Sequence, residues 1–262
     1  CAVVLVFFLT RRLATRVELQ DVQLAAARAN EVFRRDFTSN VSHELRTPLT
    51  AILGAVEMME DAETLSPEDR ADLQRIIRTQ ASRLNALAKD VLSLARIECE
   101  QTEDKSRDFA DICIPDILKN VQTLEAPRAE EKGVRLAATC PEPLHIRGDA
   151  DLIEQALVNL IENALRYSGS DRIDIAARKA DGSLVLSVTD YGIGIPARHL
   201  PHIFERFYRV DKARSRSVGG TGLGLAIVKH IAILHGGTVS VESVQGSRTQ
   251  FKLVLPLASS RT

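Results

Sequence analysis

The stretch Arg172-Ile173-Asp174-Ile175-Ala176-Ala177-Arg178-Lys179-Ala180-Asp181-Gly182-Ser183-Leu184-Val185-Leu186-Ser187-Val188-Thr189-Asp190 holds two strand-like runs, 172–179 and 183–189, separated by Asp181-Gly182. Asp-Gly accepts positive φ at both central positions of a two-residue hairpin, the geometry that matches the twist of two antiparallel strands. The sheet is therefore mixed or antiparallel. The glycines further along the chain then lack the strand-turn-helix setting of an all-parallel dinucleotide fold.

On both sides of this hairpin the short alternating runs continue. Strands are expected near 109–114, 134–139, 144–147, 238–243 and 248–255, and helices near 115–131, 150–167 and 222–235. Residues 105–257 read as one α/β domain with a mixed or antiparallel sheet, followed by a tail at 258–262. The polar run Glu98-Cys99-Glu100-Gln101-Thr102-Glu103-Asp104-Lys105 marks the upstream boundary.

Residues 37–100 follow a different period. Ser42, Leu45, Leu49, Ile52, Val56 and Met59 recur at three- and four-residue steps, as do Leu73, Ile77, Gln80, Leu84, Leu87, Val91 and Leu94. The break between them holds Ser66-Pro67-Glu68, with Ser66 suited to cap and Pro67 to open the second helix. An antiparallel helical hairpin results. Two amphipathic helices bury little surface alone, so two chains are expected to pair their hairpins as a dimeric four-helix bundle.

Upstream, residues 11–36 are free of Gly and Pro and read as a connecting helix. Cys1-Ala2-Val3-Val4-Leu5-Val6-Phe7-Phe8-Leu9 is continuously apolar but about half the roughly 20 residues a membrane span requires. Residues 1–10 are expected to be the end of a transmembrane helix, with Arg11 and Arg12 on the cytoplasmic side; the alternative is the hydrophobic start of a soluble coiled coil.

With 45% hydrophobic and 26% charged residues, the 262-residue chain is neither disordered nor fibrous and has room for two domains. A formal net charge of -1 without a long basic run argues against a nucleic-acid partner. Cys1, Cys99, Cys113 and Cys140 lack metal-ligand spacing, so they read as packing residues of a protein in a reducing compartment.

Phe37-Thr38-Ser39-Asn40-Val41-Ser42-His43-Glu44-Leu45-Arg46-Thr47-Pro48-Leu49-Thr50 sets a histidine beside a carboxylate and one helical turn before a threonine. His43 lies roughly 150° around the helix from the apolar seam, so it is expected to face solvent and not the core. An exposed imidazole with a free nitrogen can attack phosphorus, and Glu44 is placed to orient the ring and accept its proton. Thr47, on the same face, is placed to position a water for the reverse hydrolysis. The alternatives are a solvated helix charge for Glu44 and a local helix hydroxyl for Thr47. Pro48 is expected to bend the helix.

In the α/β half, Asp190-Tyr191-Gly192-Ile193-Gly194 follows a strand, and Gly219-Gly220-Thr221-Gly222-Leu223-Gly224-Leu225 opens a helix whose amides can hold phosphate. Either cluster alone serves equally well as a turn, and there is no GxxxxGK[ST] loop. The third element is Asn159-Leu160-Ile161-Glu162-Asn163-Ala164-Leu165-Arg166-Tyr167. Asn159 and Asn163 stand i,i+4 on one helical face, their amide oxygens converging where a phosphate-bound Mg²⁺ needs hard oxygen ligands.

Taken with the order of these motifs, residues 30–257 resemble the cytoplasmic part of bacterial two-component sensor histidine kinases. Ser42-His43-Glu44-Leu45-Arg46-Thr47-Pro48 is similar to the family's H box and Asn159–Asn163 to its N box. Asp190-x-Gly192-x-Gly194 and Gly220-Thr221-Gly222-Leu223-Gly224-Leu225 are similar to its two glycine boxes, and Phe204-Glu205-Arg206-Phe207-Tyr208-Arg209 to its F box. The resemblance implies a HisKA-type dimerisation and phosphoacceptor domain, then a Bergerat, or GHKL, ATPase-like sandwich that binds ATP and Mg²⁺.

The resemblance also implies roles. His43 would be the phosphoacceptor and Glu44 its acid/base partner. Asn163 would be the main Mg²⁺ ligand, assisted by Asn159, and Arg166 would approach the phosphates. Tyr167 would flank the adenine and Asp190 accept from its amino group; Gly192, Gly194, Gly220, Thr221, Gly222, Leu223 and Gly224 would line the nucleotide. Arg209 would reach the γ-phosphate. A sheet-facing aromatic and a surface ion pair remain the plainer readings of Tyr167 and Arg209. The basic stretch between Asp190 and Gly219 reads as a mobile lid.

The implied activity is ATP-dependent phosphorylation of His43 and transfer to an aspartate of a response regulator. The Glu44-x-x-Thr47 spacing resembles that of kinases that also dephosphorylate their regulator. The implied setting is the bacterial inner membrane, reached through the N-terminal segment, as a homodimer. The run Phe37–His43 leans toward the subgroup that senses phosphate limitation. The competing readings are a regulator phosphatase with little kinase activity, a nucleotide-binding dimeric scaffold without turnover and a freestanding GHKL-type ATPase. The last is disfavoured because such enzymes carry a glutamate where this chain has Asn159.

Overall fold

The structure, a computed structural model, describes residues 37–60, 65–102, 109–211 and 220–257. The transmembrane end expected at 1–10, the connecting helix expected at 11–36 and the tail at 258–262 lie outside the described residues. So do 212–219 of the expected lid. The chain divides into two compact units, residues 1–80 and 81–262.

The described part of the first unit holds α1, residues 37–60, and the opening turns of α2, Pro67–Thr102. Ser66 begins α2 as its sequence suggests: its Oγ accepts from Asp69 N–H at 3.1 Å, and Glu68 and Asp69 put negative charge at the positive end of the helix. Pro48 is buried in α1, which remains helical through it. Leu45, Leu49, Leu53 and Met58 are exposed in the single chain.

In the second unit, the last turns of α2 bury Leu87, Leu94 and Ile97. Five strands, β2 (Arg135–Thr139), β4 (Arg172–Ala180), β5 (Ser183–Asp190), β6 (Thr238–Val244) and β7 (Arg248–Pro256), form a sheet in the order β2-β4-β5-β7-β6. Only β2 and β4 pair in parallel, so the sheet is mixed. A separate antiparallel pair joins β1 (Ala110–Cys113) to β3 (His145–Gly148). Helices α3 (Ile114–Glu131), α4 (Ala150–Tyr167) and α5 (Gly224–Leu234) pack with the sheet.

The hairpin read from Asp181-Gly182 is present: both residues have positive φ, 49° and 73°, and Ala180 pairs with Ser183. Beyond it the register aligns Ile175 with Val188 and Phe251, and Ala177 with Leu186 and Leu253, in rows on one face. The same face ends in the row Ile173, Asp190, Thr249. A period of two thus carries a carboxylate onto an apolar surface.

α4 forms because Asp149 caps it, its carboxylate accepting from Leu152 N–H at 3.1 Å. Its fully buried Ile153, Leu157, Leu160 and Ile161 face the core; each such burial contributes about 1.5–3 kcal/mol. The helical period that fixes this stripe turns Asn159, Glu162, Asn163 and Arg166 the other way.

Candidate functional site

A cavity of about 250 Å³ opens in the second unit on that polar face of α4. Asn159, Asn163, Arg166, Tyr167, Asp190, Gly194, Arg209, Gly220, Thr221, Gly222 and Gly224 all line it. Gly192 and Leu223 do not, and their local geometry accounts for them. A Cβ on Gly192 would stand 2.0 Å from the Ser168 carbonyl oxygen, so this glycine allows close backbone approach. Leu223 is fully buried and precedes α5, with its N–H bonded to Thr221 Oγ1 at 3.2 Å.

The first glycine segment is tied down on several sides. Gly192 N–H donates to Asp190 Oδ1 at 3.1 Å, Ile193 N–H to Ser168 O at 2.9 Å, and Ile195 N–H to Ser243 Oγ at 2.8 Å. Asp190 itself is 4% exposed, and burial pushes its carboxyl up to about 6, partly offset by the Gly192 N–H. A buried acceptor with this environment suits a donor presented by a bound ring.

The second glycine segment meets the F box directly. Phe207 N–H donates to Gly222 O at 2.8 Å, and a Cβ on Gly222, whose φ is +76°, would press on the Phe207 backbone. The Arg209 guanidinium donates to Thr221 O at 3.0 Å, which brings its charge to the cavity wall. Residues 191–211 therefore form bonded turns, including a 3₁₀ turn at Ala197–His199, as far as the expected lid is described.

The metal expected here would depend on amide oxygens. Among the described residues no cluster of three or more His, Cys, Asp or Glu side chains could hold an ion. Both asparagines line the cavity, and the buried Asn159 Nδ2, which has no hydrogen-bond partner, is a donor that a bound phosphate oxygen would satisfy. Asn159 and Asn163 thus offer hard oxygen donors that bound phosphate oxygens would complete.

Several cavity residues escaped the sequence reading. Glu162 lies between the two asparagines and accepts from Arg166 Nη2 at 3.0 Å and from Arg128, which also donates to the buried Glu125 at 3.3 Å. Its i,i+4 spacing to Arg166 was the available signal. Thr249 reaches the cavity through strand register, and Ala86 and Asp90 reach it from α2. Asp90 Oδ2 accepts from the Thr221 hydroxyl at 2.6 Å, and burial raises its pKa against the effect of that bond.

Two more contacts hold the end of α2 in this unit. Ser93 and Gln155 exchange side-chain hydrogen bonds, and Glu98 pairs with Arg206. His230 Nε2 lies 3.4 Å from Glu98, but burial first, and then the Arg206 cation, depress its pKa to about 4. It is therefore neutral at pH 7, and the ion pair there is Glu98 with Arg206.

In the first unit, His43 is exposed, as its helical phase predicts. The Thr47 hydroxyl is also exposed and donates to the His43 carbonyl at 3.3 Å, a helix back-bond. Glu44 is half-buried.

Two asparagines on one helix and a buried carboxylate ending the central strand, converging on a cavity closed by two glycine segments, define an ATP-binding domain of the GHKL class. Residues 148–259 match the family described as histidine kinase-, DNA gyrase B-, and HSP90-like ATPase, and residues 33–100 match the His Kinase A (phospho-acceptor) domain. The chain belongs to the sensor histidine kinases, of which it carries these two domains in order.

It is 36% identical over 230 residues to the sensor-like histidine kinase SenX3 of Mycobacterium tuberculosis, covering 86% of this chain and 54% of that protein. It is 38% identical over 224 residues to the phosphate regulon sensor protein PhoR of Pseudomonas aeruginosa, covering 84% and 49%. Among solved structures, full-length ShkA in complex with AMPPNP aligns with a TM-score of 0.62 at 30% identity, covering 86% of this chain and 46% of that one. The chain spans about half the length of these curated relatives. Among the described residues, no helix is long and apolar enough to cross a membrane.

Proposed function

We propose that this chain is the phosphoacceptor and kinase portion of a bacterial sensor histidine kinase that phosphorylates its own His43 from ATP. The convergence of Asn159, Asn163, Asp190 and Gly222 on one cavity, in a chain that also exposes His43, carries the reading. Asp190 would accept the adenine amino hydrogen, Tyr167 flank the ring, and the second glycine segment hold the phosphates at the start of α5. Asn163 and Asn159 would hold Mg²⁺, which when bound neutralises phosphate charge.

In the reaction, an imidazole nitrogen of His43 attacks the γ-phosphorus in line, the bond from that phosphorus to the β,γ-bridging oxygen breaks, and ADP leaves. Glu44 orients the ring and takes its proton. Arg166 and Arg209 stabilise the charge that develops on the phosphates. The phosphoryl group then passes to an aspartate of a response regulator, and Thr47 supports the reverse hydrolysis by positioning water.

The exposed Leu45, Leu49 and Leu53 of α1, one turn apart along one face, support a homodimer, since a solvated apolar stripe is costly and a second hairpin would cover it. Anchoring to the bacterial inner membrane through residues 1–10 belongs to the same reading, with the two domains in the cytoplasm. The match to a phosphate regulon sensor is in keeping with a stimulus linked to phosphate limitation.

Incubation with γ-³²P-labelled ATP and Mg²⁺ tests the proposal. Acid-labile label appears on the wild type and is absent from His43→Ala; label that survives in His43→Ala refutes it. Loss of regulator dephosphorylation in Thr47→Ala supports the second activity, and full retention counts against it.

A further inference from the structure

The nucleotide cavity is not built only from the α/β elements that carry the recognised motifs. Asp90, on the last turns of α2, places a carboxylate inside it, 131 residues from its partner Thr221. That partner is the threonine of the second glycine segment. Its Oγ1 donates to Asp90 at 2.6 Å and accepts from Leu223 N–H, the amide that leads into α5. The helix beginning at Gly224 is 11 residues long, and its free amides and dipole favour negative charge at this end.

A carboxylate already stands there. The Asp90 charge also acts on Glu162 and Arg166, both at the cavity wall. It is kept in place by neighbours on the same helical face: Leu94 and Ile97 are fully buried, Ser93 bonds to Gln155 and Glu98 to Arg206. At i, i+3, i+4, i+7 and i+8 spacing these residues form one seam, so Asp90 enters the cavity as part of a packed helix and not as a free surface side chain.

We propose that Asp90 is an affinity-setting residue of the nucleotide site, which competes with the polyphosphate of a bound nucleotide for Thr221 and the start of α5. This rests on the reading of the cavity as an ATP site. The competition is between like charges, so its strength grows with the number of phosphates: ATP is opposed most, ADP less and adenosine not at all. Binding of the triphosphate must displace the carboxylate from Thr221, which weakens the hold of this end of α2 on the unit.

The test is equilibrium binding of ATP, ADP and adenosine, with Mg²⁺ held constant, to the full chain and to Asp90→Asn. The asparagine keeps an acceptor for the Thr221 hydroxyl but removes the charge. ATP affinity is expected to rise about 3- to 10-fold, ADP affinity less, with adenosine unchanged and the ATP gain shrinking at high salt. Glu98→Gln, which loosens the helix at its other contact, leaves the preference for ATP over adenosine as in the wild type.

Equal or weaker ATP binding by Asp90→Asn overturns the proposal, as does an equal gain for adenosine. If Asp90→Asn does not fold, judged by its thermal melt, Asp90→Ser takes its place with the same expected ranking. Failure of the wild type to bind any adenine nucleotide would instead sink the ATP reading itself.

Discussion

Asp190 on β5 and Thr249 on β7 are cross-strand partners, and both side chains reach the same cavity. Their row continues the face on which Val188 and Phe251 are buried, so a carboxylate is held where the sheet otherwise packs against helices. That placement explains why burial raises its pKa to about 6.

If Asp190 accepts the adenine amino hydrogen as proposed, nucleotide affinity should fall as pH drops through about 6, because protonation removes that charged acceptor. Asp190→Asn is expected to weaken ATP binding about 10- to 100-fold, as for loss of a charged hydrogen bond, and to remove this component of the pH profile. Binding titrations of both proteins between pH 5.5 and 8 check it; parallel profiles would count against the assignment.

Gly192→Ala should be among the most damaging single-methyl changes in the chain. The added Cβ meets the Ser168 carbonyl at 2.0 Å, which is also the acceptor of the Ile193 N–H. A loss of more than about 2 kcal/mol is expected, seen as a lowered denaturation midpoint. Gly169→Ala meets nothing within 4 Å and carries only the strain of its positive φ, so it should cost about 1 kcal/mol.

Arg128 links two carboxylates, the 1%-exposed Glu125 and the cavity residue Glu162. Arg128→Ala should destabilise by about 1–2 kcal/mol, less than a fully buried pair because the guanidinium is largely solvated. Adding Glu125→Leu should recover most of the loss, since the orphaned acid is then gone. Chemical denaturation of the four members of this cycle decides it.

His230 and Asp190 should shape acid stability in opposite directions. His230 has a folded pKa near 4, below its ordinary 6.5, so the unfolded chain takes up its proton first and stability is lost as pH falls from 6.5 toward 4. Asp190 has a raised folded pKa, so the folded chain protonates first and gains stability as pH falls from about 6 toward 3.8. Replacement by Gln at 230 should reduce the acid-side loss, and Asp190→Asn should steepen it. Urea melts across pH 7 to 4 report both.

Much of the fold was readable locally. The Asp181-Gly182 turn, the Ser66 and Asp149 caps and the stripes of α4 are set by interactions within a few residues, so their helices and strands fall close to the expected positions. The two asparagines could be placed on one face by helical period alone. The glycine motif does not say which atom the missing side chain of Gly192 makes room for; in the structure it is a carbonyl of the loop after α4.

The sequence by itself determined the elements, the outward face of His43 and the polar face of α4, because periodicity and capping act over distances of one or two turns. Only the tertiary structure decided that Thr249 stands beside Asp190, that Phe207 closes on Gly222 and that Asp90 meets Thr221. These pairings join segments far apart in the chain through strand register and helix packing. No local pattern of residue types encodes which distant partner will arrive.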